Sequence, residues 1–180
     1  RLMNVLHKAG VRMICIGYES PIAEELKAMR KGLPATKMLE YTKIWRTRFR
    51  IHGMFMIGYP LQDNQPSPSA TEIYRTYKWF IRKARLDSVQ VLIVGPVPGS
   101  DLEKRMRENG RILLLEKEMW PLADGNFVLF KPIGLTAREL QNTSLRLMKW
   151  FYGPMGVYKF VYRILIFPLD WFIRGWKDWY

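Results

Sequence analysis

Three short apolar runs, each followed by a Gly or Pro turn and then a longer amphipathic stretch, constrain the fold more than any other feature of this sequence. They are Val11 to Gly17, Ile51 to Gly58 and Val89 to Gly95. The near-continuous apolarity of VRMICIG, GMFMIG and VQVLIVG is the pattern of strands covered on both faces, as in a parallel sheet flanked by helices. Helix starts follow each run. Ser20-Pro21 places a hydroxyl before a proline at a first helical position, and Ser69 to Glu72, Ser100 to Glu103 and Thr136 to Glu139 each match the capping box. Helices are predicted over 21–31, 35–49, 68–85, 100–109 and 136–152, with Gly32-Leu33-Pro34 and the polar loop Pro60 to Pro68 as breaks. Alternating strands and helices make consecutive βα units of an α/β barrel or an open parallel sheet, with the functional site at the carboxyl ends of the strands.

The remainder of the chain has a different character. The opening RLMNVLHKAGV reads as the last turns of a helix ending at Gly10, so the sequence is expected to be a piece of a longer polypeptide. Residues 111–135 lack a clear period and are expected to be irregular with one strand. The last 28 residues hold nine aromatics among Lys and Arg, divided by Pro168. Lying at a lipid interface or packing against the barrel or a preceding domain would each explain that tail. Three regions are therefore expected: 1–109, an extension over 110–152 and a basic aromatic tail over 153–180. No apolar run reaches the roughly 18 residues of a spanning helix, so the expected location is cytoplasmic, with membrane association through the tail as the addition.

Charge narrows the partners without choosing one. With 29 Lys and Arg against 16 Asp and Glu the net charge is +13, which favours nucleic acid, phosphate-rich ligands or a membrane surface. The cations fall mostly at helical spacing (Lys37, Lys43 and Arg46; Lys78, Arg82 and Lys83), as on solvated outer faces, and no RNA-recognition or zinc-finger motif is present. Nucleic acid is the partner least expected. The single cysteine, Cys15, lies within an apolar strand where a buried thiol is ordinary, and no spaced Cys/His set holds a metal. His52 and His7 read as surface, turn or helix residues rather than catalytic ones.

On the parallel-sheet reading, the strand ends present Gly17-Tyr18-Glu19-Ser20, Gly58-Tyr59-Pro60 and Gly95 to Gly99 to one rim. A carboxylate at Glu19 can accept hydrogen bonds from a sugar diol or an ammonium group, and Ser20 can donate one; helix capping by Ser20 and dipole complementation by Glu19 explain the same residues.

The run AGVRMICIGYESPIAEELKAMRKG, then IHGMFMIGYP, then LDSVQVLIVGPVPGSDLEKRMRENGRI resembles the second half of a radical S-adenosylmethionine barrel. The later WPLADGNFVLFKP and TARELQNTSLRLMKWFY resemble the carboxyl-terminal extension of the subgroup that carries a cobalamin-binding domain. The resemblance covers nearly all of residues 1–152 in order. It implies an α/β fold forming the second half of a partial (β/α)6 TIM-like barrel, with a mostly helical extension. It further implies a 4Fe-4S cluster and cobalamin, with ligands upstream of this chain, and S-adenosylmethionine as cofactor.

By the same resemblance, Glu19 and Ser20 meet the ribose and methionyl part of S-adenosylmethionine. Met56, Gly58, Tyr59 and Pro60 lie on its adenine side, Val94 and Pro96 close over the adenine, and Asp63 is the nearest acidic residue after the second strand. The expected reaction is radical methylation, or oxidation or cyclisation, of a lipid-like or tetrapyrrole-like small molecule, with an electron donor such as flavodoxin or ferredoxin as partner. The chain alone lacks the cluster cysteines and is expected to be inactive. The competing expectation is a non-enzymatic basic α/β module that binds a membrane surface or an anionic partner.

Overall fold

The computed structural model describes residues 2–61, 65–113 and 121–154, with positions 156, 158, 161 and 165. Asp63 and most of the 153–180 tail lie outside the described residues. The chain forms two compact units, Arg1–Leu147 and Met148–Tyr180. The described elements run α1 (Leu2–Lys8), β1 (Met13–Glu19), α2 (Ala23–Ala28), α3 (Ala35–Trp45), β2 (Arg50–Ile57), α4 (Ala70–Ala84), β3 (Ser88–Ile93), α5 (Asp101–Glu108) and α6 (Ala137–Tyr152).

The three strands make one parallel sheet in the order β1-β2-β3. Each apolar run is one strand and each amphipathic stretch supplies the crossover helix that parallel neighbours require. Capping fixes where the helices begin. Ser69 and Ser100 accept from the backbone N–H groups of Glu72 (3.3 Å) and Glu103 (3.1 Å). Thr136 completes a reciprocal box, its Oγ1 accepting from the Glu139 N–H at 3.1 Å and its own N–H donating to Glu139 Oε2 at 2.7 Å. The expected start at Pro21 is corrected: α2 begins at Ala23, and Ser20 Oγ instead accepts from the Ile22 N–H at 3.0 Å.

The expectation of strands covered on both faces is also corrected. In β2, Ile51, Gly53, Phe55 and Ile57 are buried while Arg50, His52, Met54 and Met56 are half-buried, so one face is packed and the other open. The packed face holds an aromatic cluster in which Tyr18 stacks on Phe55 at 5.4 Å, while the Phe80 ring meets those two edge-on at 5.1 and 5.8 Å. Gly53 makes the cluster fit, because a Cβ there would collide with Leu86 and stand 3.2 Å from Tyr18 Cε2. Tyr18 keeps its hydroxyl bonded to Thr42 Oγ1 at 2.6 Å, and Thr42 in turn donates to Met38 O at 2.7 Å. On the open face, Cys15 is exposed, which overturns the expected burial of its thiol; apolar sequence alone does not say which side of a strand is covered.

The β3 edge away from β2 is closed by residues 121–147. The Ile93 N–H donates to Gly125 O at 2.6 Å, Ser144 Oγ reaches Val91 O at 3.5 Å, and among the described residues of 111–135 an antiparallel bridge joins Ile112 to Phe130. Two backbone groups on that edge, Ile93 N–H and Val91 O, are thus paired.

Candidate functional site

The carboxyl ends of the three parallel strands lie side by side. Val94 N–H donates to Ile57 O at 3.1 Å, joining the ends of β2 and β3, and the Tyr77 hydroxyl reaches both Met56 O (2.7 Å) and Ser20 Oγ (3.1 Å), joining β2 to β1. The strand-end turns that sequence reasoning picked out therefore meet at one rim.

Glu19 is shaped for that position. The β1–β2 register shifts between Gly17 and Glu19, and Glu19 adopts φ +64°, a backbone region that non-glycine residues seldom enter. Lys31, just after α2, donates to Gly17 O at 2.7 Å and stands 3.4 Å from Glu19 Oε1. Glu19 Oε1 lies over Gly17, where a Cβ would come within 2.6 Å of it. A glycine and a lysine thus hold a half-exposed carboxylate at the rim, where a polar ligand can still reach it.

The other expected residues divide by exposure. Met56 and Tyr59 are half-buried, whereas Ser20, Gly58, Pro60, Val94 and Pro96 are buried within the chain. Gly58, at φ +81°, has Leu140 of α6 against it, with Leu140 Cδ2 2.5 Å from where a Cβ would stand. Its missing side chain admits a helix. Ser20 is fully buried and bonded to Ile22 N–H, Glu25 and Tyr77, so its hydroxyl fixes the turn rather than facing outward. The rim surface left accessible comes from Glu19, Met56 and Tyr59, continuing onto the open sheet face through Met54, Leu92 and His52, whose Nδ1 pairs with Ser88 Oγ at 2.8 Å.

Sequence reasoning missed Glu25 and Tyr77. Glu25 is fully buried, bonds through Oε2 to Ser20 Oγ and, at 3.0 Å, to the Tyr77 hydroxyl, and leaves Oε1 without a partner. Burial pushes its carboxyl up to about 7, partly offset by the bonds from Ser20 and Tyr77. Burial, then the neighbouring Glu25, push the Tyr77 hydroxyl well above its ordinary value. The only hint in sequence is that Tyr77 falls on the apolar stripe of α4 with Ile73, Phe80, Ile81 and Ala84.

Among the described residues no group of three or more His, Cys, Asp or Glu could hold a metal ion, and no helix is long and apolar enough to cross a membrane. A second concavity of about 780 Å³ lies between α3 and α4, lined by Lys43, Arg46, Arg75, Arg82 and Lys83 around the half-exposed Trp79.

No family model matches the chain. It is similar to the bacteriochlorophyllide d C-12(1)-methyltransferase of Chlorobaculum tepidum, with 25% identity over 166 residues. That similarity takes in 91% of this chain and 33% of the methyltransferase, so the chain spans about a third of the length of the curated relative it matches.

Proposed function

We propose that this chain is the second half of the barrel of a radical S-adenosylmethionine enzyme of the cobalamin-dependent type, and that the enzyme methylates carbon on a tetrapyrrole-like substrate. The observation that carries this reading is the similarity to a methyltransferase along 91% of the chain. Methylation is favoured over oxidation or cyclisation because the relative is named for methyl transfer, and a tetrapyrrole over a lipid because it is named for a bacteriochlorophyllide. The open face of the sheet, with Met54, Met56 and Leu92 on it, and the place of β1 at the end of the strand order are what a half-barrel continued by further strands would present.

The rim fits S-adenosylmethionine. Glu19, steadied by Lys31, would accept from the ribose diol or the methionyl ammonium group, and Met54, Met56 and Leu92 would wall the adenine and exclude water. Tyr59, half-buried on the turn after β2, is placed to close over the same ligand. Gly58, Pro60, Val94 and Pro96 shape that wall from behind, through packing and the strand-end turns. Bound there, S-adenosylmethionine supplies the methyl group or the deoxyadenosyl fragment. The described residues offer no ligand set for a 4Fe-4S cluster, and this reading assigns the ligands of the cluster and of cobalamin to chain outside this sequence. A flavodoxin-like or ferredoxin-like donor would serve the whole enzyme.

The test is anaerobic reconstitution of the full-length gene product with iron and sulfide. The expected result is an EPR signal of the reduced cluster that changes on adding S-adenosylmethionine, with 5′-deoxyadenosine or S-adenosylhomocysteine formed. Glu19→Ala should weaken S-adenosylmethionine binding about tenfold, the worth of one charged hydrogen bond. A full-length protein that holds no cluster overturns the reading.

The basic groove between α3 and α4 favours a second reading, an α/β module that binds an anionic partner or membrane surface. Sedimentation with anionic vesicles that is abolished by Arg75→Glu with Arg82→Glu, in a protein without a cluster, would select it.

A further inference from the structure

Behind the rim, four oxygens crowd together: Ser20 Oγ after β1, Glu25 Oε2 on α2, the Tyr77 hydroxyl on α4 and Met56 O on β2. Tyr77 lies 3.0 Å from Glu25 Oε2 and 2.7 Å from Met56 O, and Ser20 Oγ bonds to Glu25 Oε2 while accepting from the Ile22 N–H at 3.0 Å. The protons can be counted. A hydroxyl carries one hydrogen, and a backbone carbonyl only accepts. With Glu25 ionised, Ser20 and Tyr77 supply two hydrogens for four close pairs, the fourth being Tyr77 with Ser20 Oγ at 3.1 Å. Either Tyr77 donates to Met56 O and meets the carboxylate with bare lone pairs, or it donates to the carboxylate and faces Met56 O at 2.7 Å with no hydrogen between. With Glu25 neutral a third hydrogen is present and three of the four pairs close: Ser20 donates to Glu25, Glu25 to Tyr77, and Tyr77 to Met56 O, the 3.1 Å approach of Tyr77 to Ser20 remaining a contact without a hydrogen.

The remaining oxygen agrees. Glu25 Oε1 is buried with no partner, which is far costlier for a carboxylate than for the carbonyl of a neutral acid. The charges that bear on the cluster are themselves carboxylates, Glu24 acting on Glu25 and Glu19 acting on Tyr77, and both oppose ionisation.

We propose that Glu25 is a positioning residue held as the neutral acid, whose proton completes the relay tying the end of β1 to the end of β2 behind the rim. Loss of that proton leaves the cluster that links Ser20 to Met56 one hydrogen short and loosens the two turns that carry Glu19 and Gly58. This inference stands whether or not the rim takes S-adenosylmethionine, because it concerns the chain's own hydrogen bonds.

Infrared difference spectroscopy of the intact protein, paired with amide hydrogen exchange resolved over residues 18–26 and 56–59, tests it. The expected spectrum at pH 6 contains a protonated-carboxyl band that vanishes as pH rises through about 7 and is absent from Glu25→Gln. Exchange protection of both segments should fall about tenfold at pH 8 beyond the ordinary base-catalysed increase, one pH unit being a tenfold change in the ionised population. Glu25→Gln, neutral at every pH, should keep its protection. Tyr77→Phe, which removes the acceptor of the Glu25 proton, should shift both the band and its midpoint. Absence of the band at pH 6, equal loss of protection in Glu25→Gln, or an unmoved band in Tyr77→Phe would each overturn the proposal; a failure of S-adenosylmethionine to bind would leave it standing.

Discussion

The two faces of β2 alternate residue by residue along one strand and do opposite things. Ile51, Phe55 and Ile57 are at most 1% exposed and lock the sheet against its helices, whereas Met54 and Met56, one residue along, remain half-buried on an open apolar face. The open face also carries Arg50 and His52, whereas on the packed face the Gly53 notch lets Tyr18 and Leu86 close in. A packed aromatic face is a stability element. A flexible methionine face beside a carboxylate suits a flat ligand.

Substitutions on the two faces should therefore part company. Phe55→Ala, which empties the centre of the aromatic cluster, should cost about 3–5 kcal/mol in denaturant unfolding. Met56→Ala should cost under about 1.5 kcal/mol because its site is not fully enclosed, yet weaken S-adenosylmethionine binding. Equal stability losses would break the distinction.

Proton linkage gives a comparable contrast. The folded chain holds Glu25 with its carboxyl raised from 4.5 to about 7, so its contribution to stability is full below pH 4.5 and is lost as pH rises through 7. A loss of about 3 kcal/mol, as an order of magnitude, should appear across that window in wild-type protein and vanish in Glu25→Gln. Gly53→Ala comes next. A methyl there must push Leu86 and Tyr18 aside, at about 1–3 kcal/mol, and unchanged stability would show that the notch is not needed. The smallest effect expected is that of Thr136→Ala, about 1 kcal/mol for the loss of half a capping box.

Much of this was legible in the residues. The three runs became β1, β2 and β3, and Ser69, Ser100 and Thr136 marked helix starts, because strand periodicity and capping are local signals. Face exposure was not legible, since MICIG is apolar on both faces and only the folded packing shows that Cys15 is exposed. The intrachain contacts of Ser20 and Gly58 were not legible either: the hydroxyl bonds to Glu25 and Tyr77, and the bare Cα admits Leu140. Glu25 escaped because a glutamate in the first turn of a helix ordinarily faces water and complements the dipole. Its burial depends on Tyr77, 52 residues away.

Photolabelling of the full-length protein with an 8-azidoadenine analogue of S-adenosylmethionine, followed by peptide mapping, most directly tests the proposed cofactor site at the strand ends. The expected result is label on peptides that contain Met54 to Tyr59 or Val91 to Pro96, suppressed by excess S-adenosylmethionine and reduced in Glu19→Ala. Label confined to the α3–α4 groove, or equal labelling with and without excess S-adenosylmethionine, would contradict a cofactor site at the strand ends.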